Sequence, residues 1–412
     1  MVLAFVSPRP VFSEVIRLKS GKTVEGKAIE RTDKYIKIDF YNVPMTYYFS
    51  EIQAIDGKEP EAVGVNAGAK VEAPGNYKSI EIDDAFLGKV FDYIKKESGE
   101  PKKYYAAASI CSALISAAKM QEIGGEEQFI KPPATELLKA NASLLVESGA
   151  AGFRKAIAGS LKEAYLDSAV FDLMRANAVD FKELISELDM AAVQDSDNAL
   201  PLYLKAVAFE YKKNYEEARK NIKEALDKTI SLNISKNYAA MHEFLISSGY
   251  GDIAAAETAA MLAKCIGSLY IFEINISLFN YIREDKMEKD LFGRWRSNAV
   301  EYNEDALIAA KQLALARPQS FMAETMGLTL EGAACFRLID LYKKQGEEEK
   351  AGQMRQKAND LQYSVINLKR RFVDMLRNFS NLQGTPQAVD FLVDSVTIGE
   401  EQAANKYFGN KN

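Results

Sequence analysis

The sequence predicts a mainly α chain in which helices stack as antiparallel pairs behind a small N-terminal antiparallel β-module. Three observations carry this. Residues 14–58 are rich in Val, Ile, Tyr and Thr and broken by turn residues, whereas from Ile82 onward the apolar period is that of helices. Short breakers then recur at Asp195 to Asn198, Lys213-Asn214, Gly249 to Asp252, Arg317-Pro318 and Gly346. Of the 412 residues, 48% are hydrophobic and 27% charged, which is ample for a buried core and argues against disorder.

Residues 1–13 are set apart. Apolar Met1 to Val6 leads through Ser7-Pro8-Arg9-Pro10 to Val11-Phe12-Ser13, with Val11 and Ser13 spaced as the recognised pair of a signal-peptide cleavage site. A basic first segment is missing, so two readings stand. One is the tail of a signal peptide, with a mature chain starting near Glu14 and a periplasmic or secreted protein; the other is a frayed terminus or edge strand of a cytoplasmic one. No segment reaches the roughly 18 uninterrupted apolar residues of a membrane span. Ala106 to Ala118 comes nearest and is rich in Ala and Ser.

Strands are expected at Val15 to Leu18, Thr23 to Glu30, Tyr35 to Phe40 and Met45 to Phe49, within a meander of five. Tyr35 to Phe40 alternates at period two, as a strand with one buried face must. Gly26, inside the second strand, predicts a bulge or sharp bend. In Tyr47-Tyr48-Phe49 at least one ring points outward, and covering a neighbouring helix is the simplest use for it. Leu18-Lys19-Ser20-Gly21, Val24-x-Gly26 and Asp33 followed by Tyr35-Ile36-Lys37-Ile38 resemble the first motif of Sm-like barrels. They are still more similar to short SH3-like barrel modules of bacterial envelope proteins. The resemblance implies a small β-barrel over 14–58. Lys37 stands where RNA-binding Sm proteins carry Asn, and acidic and basic residues nearly balance over the module. Phosphate binding draws on clustered positive charge, so nucleic acid is disfavoured as a partner. Residues 59–79, with Gly64, Gly68, Pro74 and Gly75, read as a linker.

The helical body divides into a region 80–180, repeat-like helices 181–231, an irregular helical region 232–331 and a further repeat with C-terminal helices 332–412. Pro101 opens an Ala-rich helix through Gln121, and Pro132-Pro133 opens another that ends near Gly149. From Ala199 to Ile230, large Leu202, Phe209 and Ile222 alternate with small Ala206, Ala218 and Ala225 at helix-pair spacing, with Asn214-Tyr215-Glu216-Glu217 at the turn. Leu184, Leu188 and Ala191 repeat the second half of this pattern one unit earlier. From Gly332, Leu338, Ile339, Tyr342, Ala351 and Ala358 repeat it once more, with Arg355 breaking the apolar series. Between them, Asp252 to Arg283 shows no such period and reads as one long or broken helix. These runs resemble the tetratricopeptide repeat, whose period is about 34 residues. The resemblance implies an α-α superhelix with a concave face for a peptide or protein segment. That face would be lined by Leu200, Tyr203, Val207, Glu210 and Tyr211 in the clear unit, and by Phe336, Asp340, Lys343 and Lys344 in the later one.

Chemistry by known motifs is missing from the sequence. It has no phosphate loop, GxGxxG turn, GxSxG elbow or HExxH pair, and its one histidine, His242, cannot complete a zinc pair. His242 lies in an amphipathic helix and reads as a packing or surface residue. Cys111, Cys265 and Cys335 are far apart in apolar helices and read as buried thiols. Glu347-Glu348-Glu349 follows Gly346 at a helix start, where negative charge is favoured. Lys369-Arg370-Arg371 with Arg377 reads as a solvated helix face, and Trp295 either as core or as an exposed anchor. No catalytic residue, metal or cofactor is expected. With 52 Lys+Arg against 58 Asp+Glu the net charge is −6, which attracts neither nucleic acid nor anionic membrane in general. The expectation is a non-enzymatic scaffold for a protein or peptide partner, in the bacterial envelope. The alternatives are an RNA-associated adaptor using the barrel and a carboxylate-based glycan hydrolase.

Overall fold

The computed structural model describes residues 14–18, 23–31, 35–40, 43–48, 52–55, 79–122, 132–175, 180–283, 287–289, 295–382 and 385–408. The expected leader 1–13, nearly all of the linker 59–79 and the rings of Tyr47, Tyr48, Phe49 and Trp295 lie outside what is described. The chain divides into two compact units, Met1–Ala73 and Pro74–Asn412.

The first unit is a five-stranded antiparallel sheet of β1 (Glu14–Leu18), β2 (Thr23–Arg31), β3 (Tyr35–Phe40), β4 (Val43–Tyr48) and β5 (Ile52–Ile55). Its order is β4-β3-β2-β1-β5, so β4 and β5 are the edges among the described residues. Ile16, Ile36, Ile52 and Ile55 are buried. The bulge expected at Gly26 is elsewhere: Gly26 pairs regularly with Glu14, and the register slips between Ala28 and Glu30. Gly26 instead marks the point where β2 stops pairing with β1 and starts pairing with β3.

The second unit is helical. It begins with α1 (Asp84–Lys95), α2 (Pro101–Glu122), α3 (Pro132–Ala140), α4 (Ala142–Ala158) and α5 (Ala164–Met174). The repeat-like helices follow as α6 (Phe181–Gln194), α7 (Leu200–Tyr211) and α8 (Tyr215–Ala225). Then come α9 (Ile234–Ser247), α10 (Asp252–Arg283), a two-stranded ribbon β6 (Met287–Lys289) and β7 (Trp295–Ser297), and α11 (Ala299–Ala314). The chain ends in α12 (Phe321–Lys344), α13 (Glu348–Ser380), α14 (Pro386–Thr397) and α15 (Glu400–Phe408). Helices α4 to α8 each pack on the next, as do α11 to α13, an order consistent with an α-α superhelix.

Local chemistry explains the boundaries. Asp83, Asp180, Ser320 and Thr385 cap α1, α6, α12 and α14 by accepting backbone N–H groups. Gly249 and Gly346 have positive φ after α9 and α12, the left-handed conformation that ends a helix without a Cβ clash. In α7 and α8 the expected repeat residues Leu202, Ala206, Ala218, Ile222 and Ala225 are buried. Two glycines do not act as breakers. Gly149 lies inside α4, where a Cβ would meet Phe171 Cζ at 2.5 Å, so it serves the packing of α5. Gly332 lies inside α12, which began at Phe321. A glycine in a helix interior costs only about 1 kcal/mol and does not by itself stop a helix.

The region expected to be irregular is the centre of the unit. Helix α10 is one unbroken helix of 32 residues that packs against α2, α7, α9, α11, α12 and α14. It is long and apolar enough to cross a membrane by length and composition, yet most of it is buried inside the unit. Three loops of the unit are laced together. Asn198 Oδ1 accepts the Leu200 and Ser231 N–H groups at 3.0 Å each, its Nδ2 donates to Ser231 O, and Leu232 N donates to Arg317 O at 2.7 Å.

The close crossing of α11 and α12 is testable. A Cβ on Gly327 of α12 would lie 2.5 Å from Ala310 O and 2.8 Å from Ala314 N, both backbone atoms of α11, whereas one on Gly332 meets nothing within 4 Å. Helix propensity favours Ala at both sites, so the contact decides the sign. Gly327→Ala should lose about 1–3 kcal/mol of stability in urea denaturation. Gly332→Ala should gain up to about 1 kcal/mol; equal shifts in the two variants would show that the crossing is not tight.

Candidate functional site

Five of the nine residues expected on a concave face belong to α7. Leu200, Tyr203 and Val207 are buried by the chain itself. Tyr203 donates its hydroxyl to Gln312 Oε1 of α11. Gln312 Nε2 donates in turn to the carbonyls of Ala225, Leu226 and Lys228, the open end of α8. Tyr203 is therefore tied to α11 and is not open to a ligand.

Toward its C-terminal end the same face opens. Val207, Glu210 and Tyr211 line a pocket of about 370 Å³, and the opposite wall is the end of α10, with Ile276, Ser277, Asn280 and Arg283. Tyr215, at the start of α8, completes the rim. Ser277 Oγ donates to Glu210 Oε1 at 2.8 Å and Asn280 Nδ2 to Glu210 Oε2 at 3.5 Å, so both carboxylate oxygens are held. The Tyr211 hydroxyl donates to Glu273 Oε2 at 3.0 Å. Burial first, and then the charge of Glu273, raise the Tyr211 phenol above its ordinary range, so it remains a donor. Tyr211 is 50% exposed, Tyr215 37% and Ile276 40%, which gives the pocket an apolar, aromatic lip. The other four expected residues, Phe336, Asp340, Lys343 and Lys344, lie on the exposed surface of α12 and take no part in this pocket.

Sequence reasoning missed the α10 wall. Ser277, Asn280 and Arg283 fall three residues apart at the end of an otherwise apolar helix, and that polar exception was the available signal.

A buried carboxylate, Asp167 of α5, forms a second cluster. It accepts hydrogen bonds from Tyr105 of α2 at 2.6 Å, from Tyr270 of α10, from Asn237 of α9 at 3.3 Å and from Asn233 at 3.4 Å. Asp167, Tyr105, Asn237 and Tyr270 are all buried. Burial pushes the Asp167 carboxyl up to about 6, opposed by its hydrogen bonds with Tyr105, Asn237 and Asn233 and by the charge of Lys236. Enclosed by its own partners, it joins four helices and serves the fold.

His242 Nε2 lies 3.0 Å from Asp252 Oδ1, and its ring stacks on Tyr238 with centroids 5.7 Å apart. It therefore joins α9 to the start of α10. Cys111, Cys265 and Cys335 are free buried thiols, and burial holds Cys111 up to about 12. Among the described residues no three His, Cys, Asp or Glu side chains group as a metal site. No protein-family model, curated protein or solved structure matches the chain.

The Asp167 cluster sets a pH dependence. Its folded pKa lies above the unfolded carboxylate value near 3.9, so the native state binds the proton more tightly. Its contribution to stability is greatest below pH 4 and falls as pH rises through about 6. In Asp167→Asn this slope should vanish: measured by urea denaturation, the variant's stability relative to wild type should rise between pH 4 and 7 by up to about 3 kcal/mol. A constant difference across that range would show that Asp167 is not the group that titrates.

Proposed function

We propose that the chain is a non-enzymatic scaffold of tetratricopeptide type that holds a peptide or protein segment in the groove between α7 and α10. The observation that carries this is convergence. Val207, Glu210 and Tyr211, nominated from the repeat register, line the same pocket as Ile276, Asn280 and Arg283. The lip supplies two phenol rings and an isoleucine for an apolar side chain, and Arg283 supplies a cation for a carboxylate or backbone carbonyl. Such a mixture suits a protein segment, since tyrosine and arginine contribute strongly to protein recognition. The barrel reading of the N-terminal sheet and placement in the bacterial envelope belong to the same proposal, supported by the 14–58 motif and the signal-like Val11-Phe12-Ser13.

One observation bears on the hydrolase alternative, because Glu210 lines this groove and Glu273 bonds the Tyr211 hydroxyl at its edge. A glycosidase pair needs one carboxyl poised at the scissile oxygen. Here Glu210 is held by Ser277 and Asn280, and Glu273 is buried behind the Tyr211 hydroxyl. Binding is the better use of both.

Photocrosslinking in the full chain tests the reading. A benzophenone amino acid at position 211 or 276 should yield discrete adducts in envelope extracts. The same group at 220, a 72% exposed lysine on α8, should yield none. Arg283→Ala should reduce the adducts severalfold. Matching patterns at the groove and control positions would remove the groove as a binding site, and turnover of a glycan abolished by Glu210→Gln would replace the scaffold reading with the hydrolase.

A further inference from the structure

The long helix α13 carries a surface that the fold leaves uncovered. Of its 33 residues only Ala351, Ala358, Leu368 and Met375 are buried. On another side of the same helix, Tyr363, Ile366, Val373 and Leu376 are 70%, 61%, 51% and 40% exposed. Ile366 and Val373 are one heptad apart, and Leu376 follows Val373 by three. This is the spacing of a coiled-coil seam over two heptads, with β-branched Ile366 and Val373 at one seam position and Leu376 at the other. Tyr363, Arg370 and Arg377 recur at the same interval along its edge, and Lys369 stands in the seam itself.

The charges along this side are mainly basic. Arg355, Lys369 and Arg370 are exposed and form no ion pair among the described residues, and Arg377 has Asp374 at 3.8 Å. Arg371, by contrast, is turned inward and bound by Glu324 at 2.6 Å and by Glu401. An apolar seam edged by cations is complementary to an apolar seam edged by carboxylates. We propose that the stripe from Tyr363 to Arg377 docks an acidic amphipathic helix of a partner protein. The stripe is about 22 Å long, four turns of helix.

Two other occupants fit worse. A second copy paired antiparallel would set Arg370 and Arg377 against their own kind, which costs affinity. An anionic membrane would have to attract a chain of net charge −6, and the narrow seam offers less apolar width than an interfacial helix buries. The surface uses none of the α7–α10 groove residues, so it stands or falls separately from that reading.

The test uses the full chain and two labelled heptad peptides with identical Ile/Leu seams, one edged by Glu and the other by Lys, read by fluorescence anisotropy. The Glu peptide should bind at least about tenfold more tightly, and its advantage should shrink as salt is added. Ile366→Glu with Val373→Glu should weaken it by about tenfold or more. Arg370→Glu with Arg377→Glu should reverse the preference. Should the first pair lose helical content, the second pair decides. Three results would overturn the proposal: equal or no binding of the two peptides; a dimer in sedimentation that Ile366→Glu with Val373→Glu dissolves; or cosedimentation with phosphatidylserine vesicles in the absence of Glu-peptide binding.

Discussion

A helix that is apolar on nearly every side has to be covered, and the covering of α10 governs the helical unit. Its buried residues run from Ala254 to Ile282 and point in all directions. No single neighbour can bury such a helix, because a packed helix covers only one face of its partner. Six helices drawn from far apart in the chain therefore converge on it. The apolar term is non-directional, so it gathers these helices without setting their rotation or depth. Directional bonds do that: Tyr270 is pinned to Asp167, Lys264 to Glu400 at 2.7 Å, and Tyr281 to Asp305 at 2.8 Å. The buried carboxylate costs desolvation, and its several hydrogen-bond donors offset part of that cost while fixing one arrangement of α2, α5, α9 and α10.

Local features were legible in the sequence where local physics decides them. The breakers at Asp195 to Asn198, Lys213-Asn214, Gly249 to Asp252 and Gly346 all fall at helix boundaries, since caps and left-handed residues act within one turn. The alternation of Tyr35 to Phe40 marked β3, and the small and large residues of Ala199 to Ile230 marked α7 and α8. Nonlocal features were not legible. Gly149, Gly332 and Gly26 look alike as letters, yet one receives the ring of Phe171, one sits in open space and one marks a change of strand partner. Such differences depend on residues distant in sequence. For the same reason half of the candidate groove was visible, the half that follows the repeat register on α7, while the wall supplied by α10 depended on which helix came to lie opposite.

This covering also modifies what a repeat array does. In a stack of helix pairs the inner face is free to receive an external chain. Here α10 packs on α7 and Gln312 of α11 accepts from the Tyr203 hydroxyl; Leu200 and Tyr203 are buried, while the end around Tyr211 is open. On the proposed reading, the chain fills much of that face itself, and the pocket left for a partner would take a short segment. On the same reading, specificity would rest on a few groups of the pocket lining, the Tyr211 and Tyr215 rings and the Arg283 guanidinium among them.

The lacing of the three loops has a consequence for biogenesis. The α7–α8 pair lies near the middle of the chain, but the backbone donor of Leu232 is matched by Arg317, and the Ala225, Leu226 and Lys228 carbonyls accept from Gln312, both further along it. At ribosomal speeds of about 5–20 residues per second, that stretch emerges on the order of ten seconds later. Throughout that interval the Tyr203 hydroxyl of the nascent helix pair lacks its Gln312 partner, so the growing chain depends on whatever satisfies and shields it during synthesis until α11 arrives.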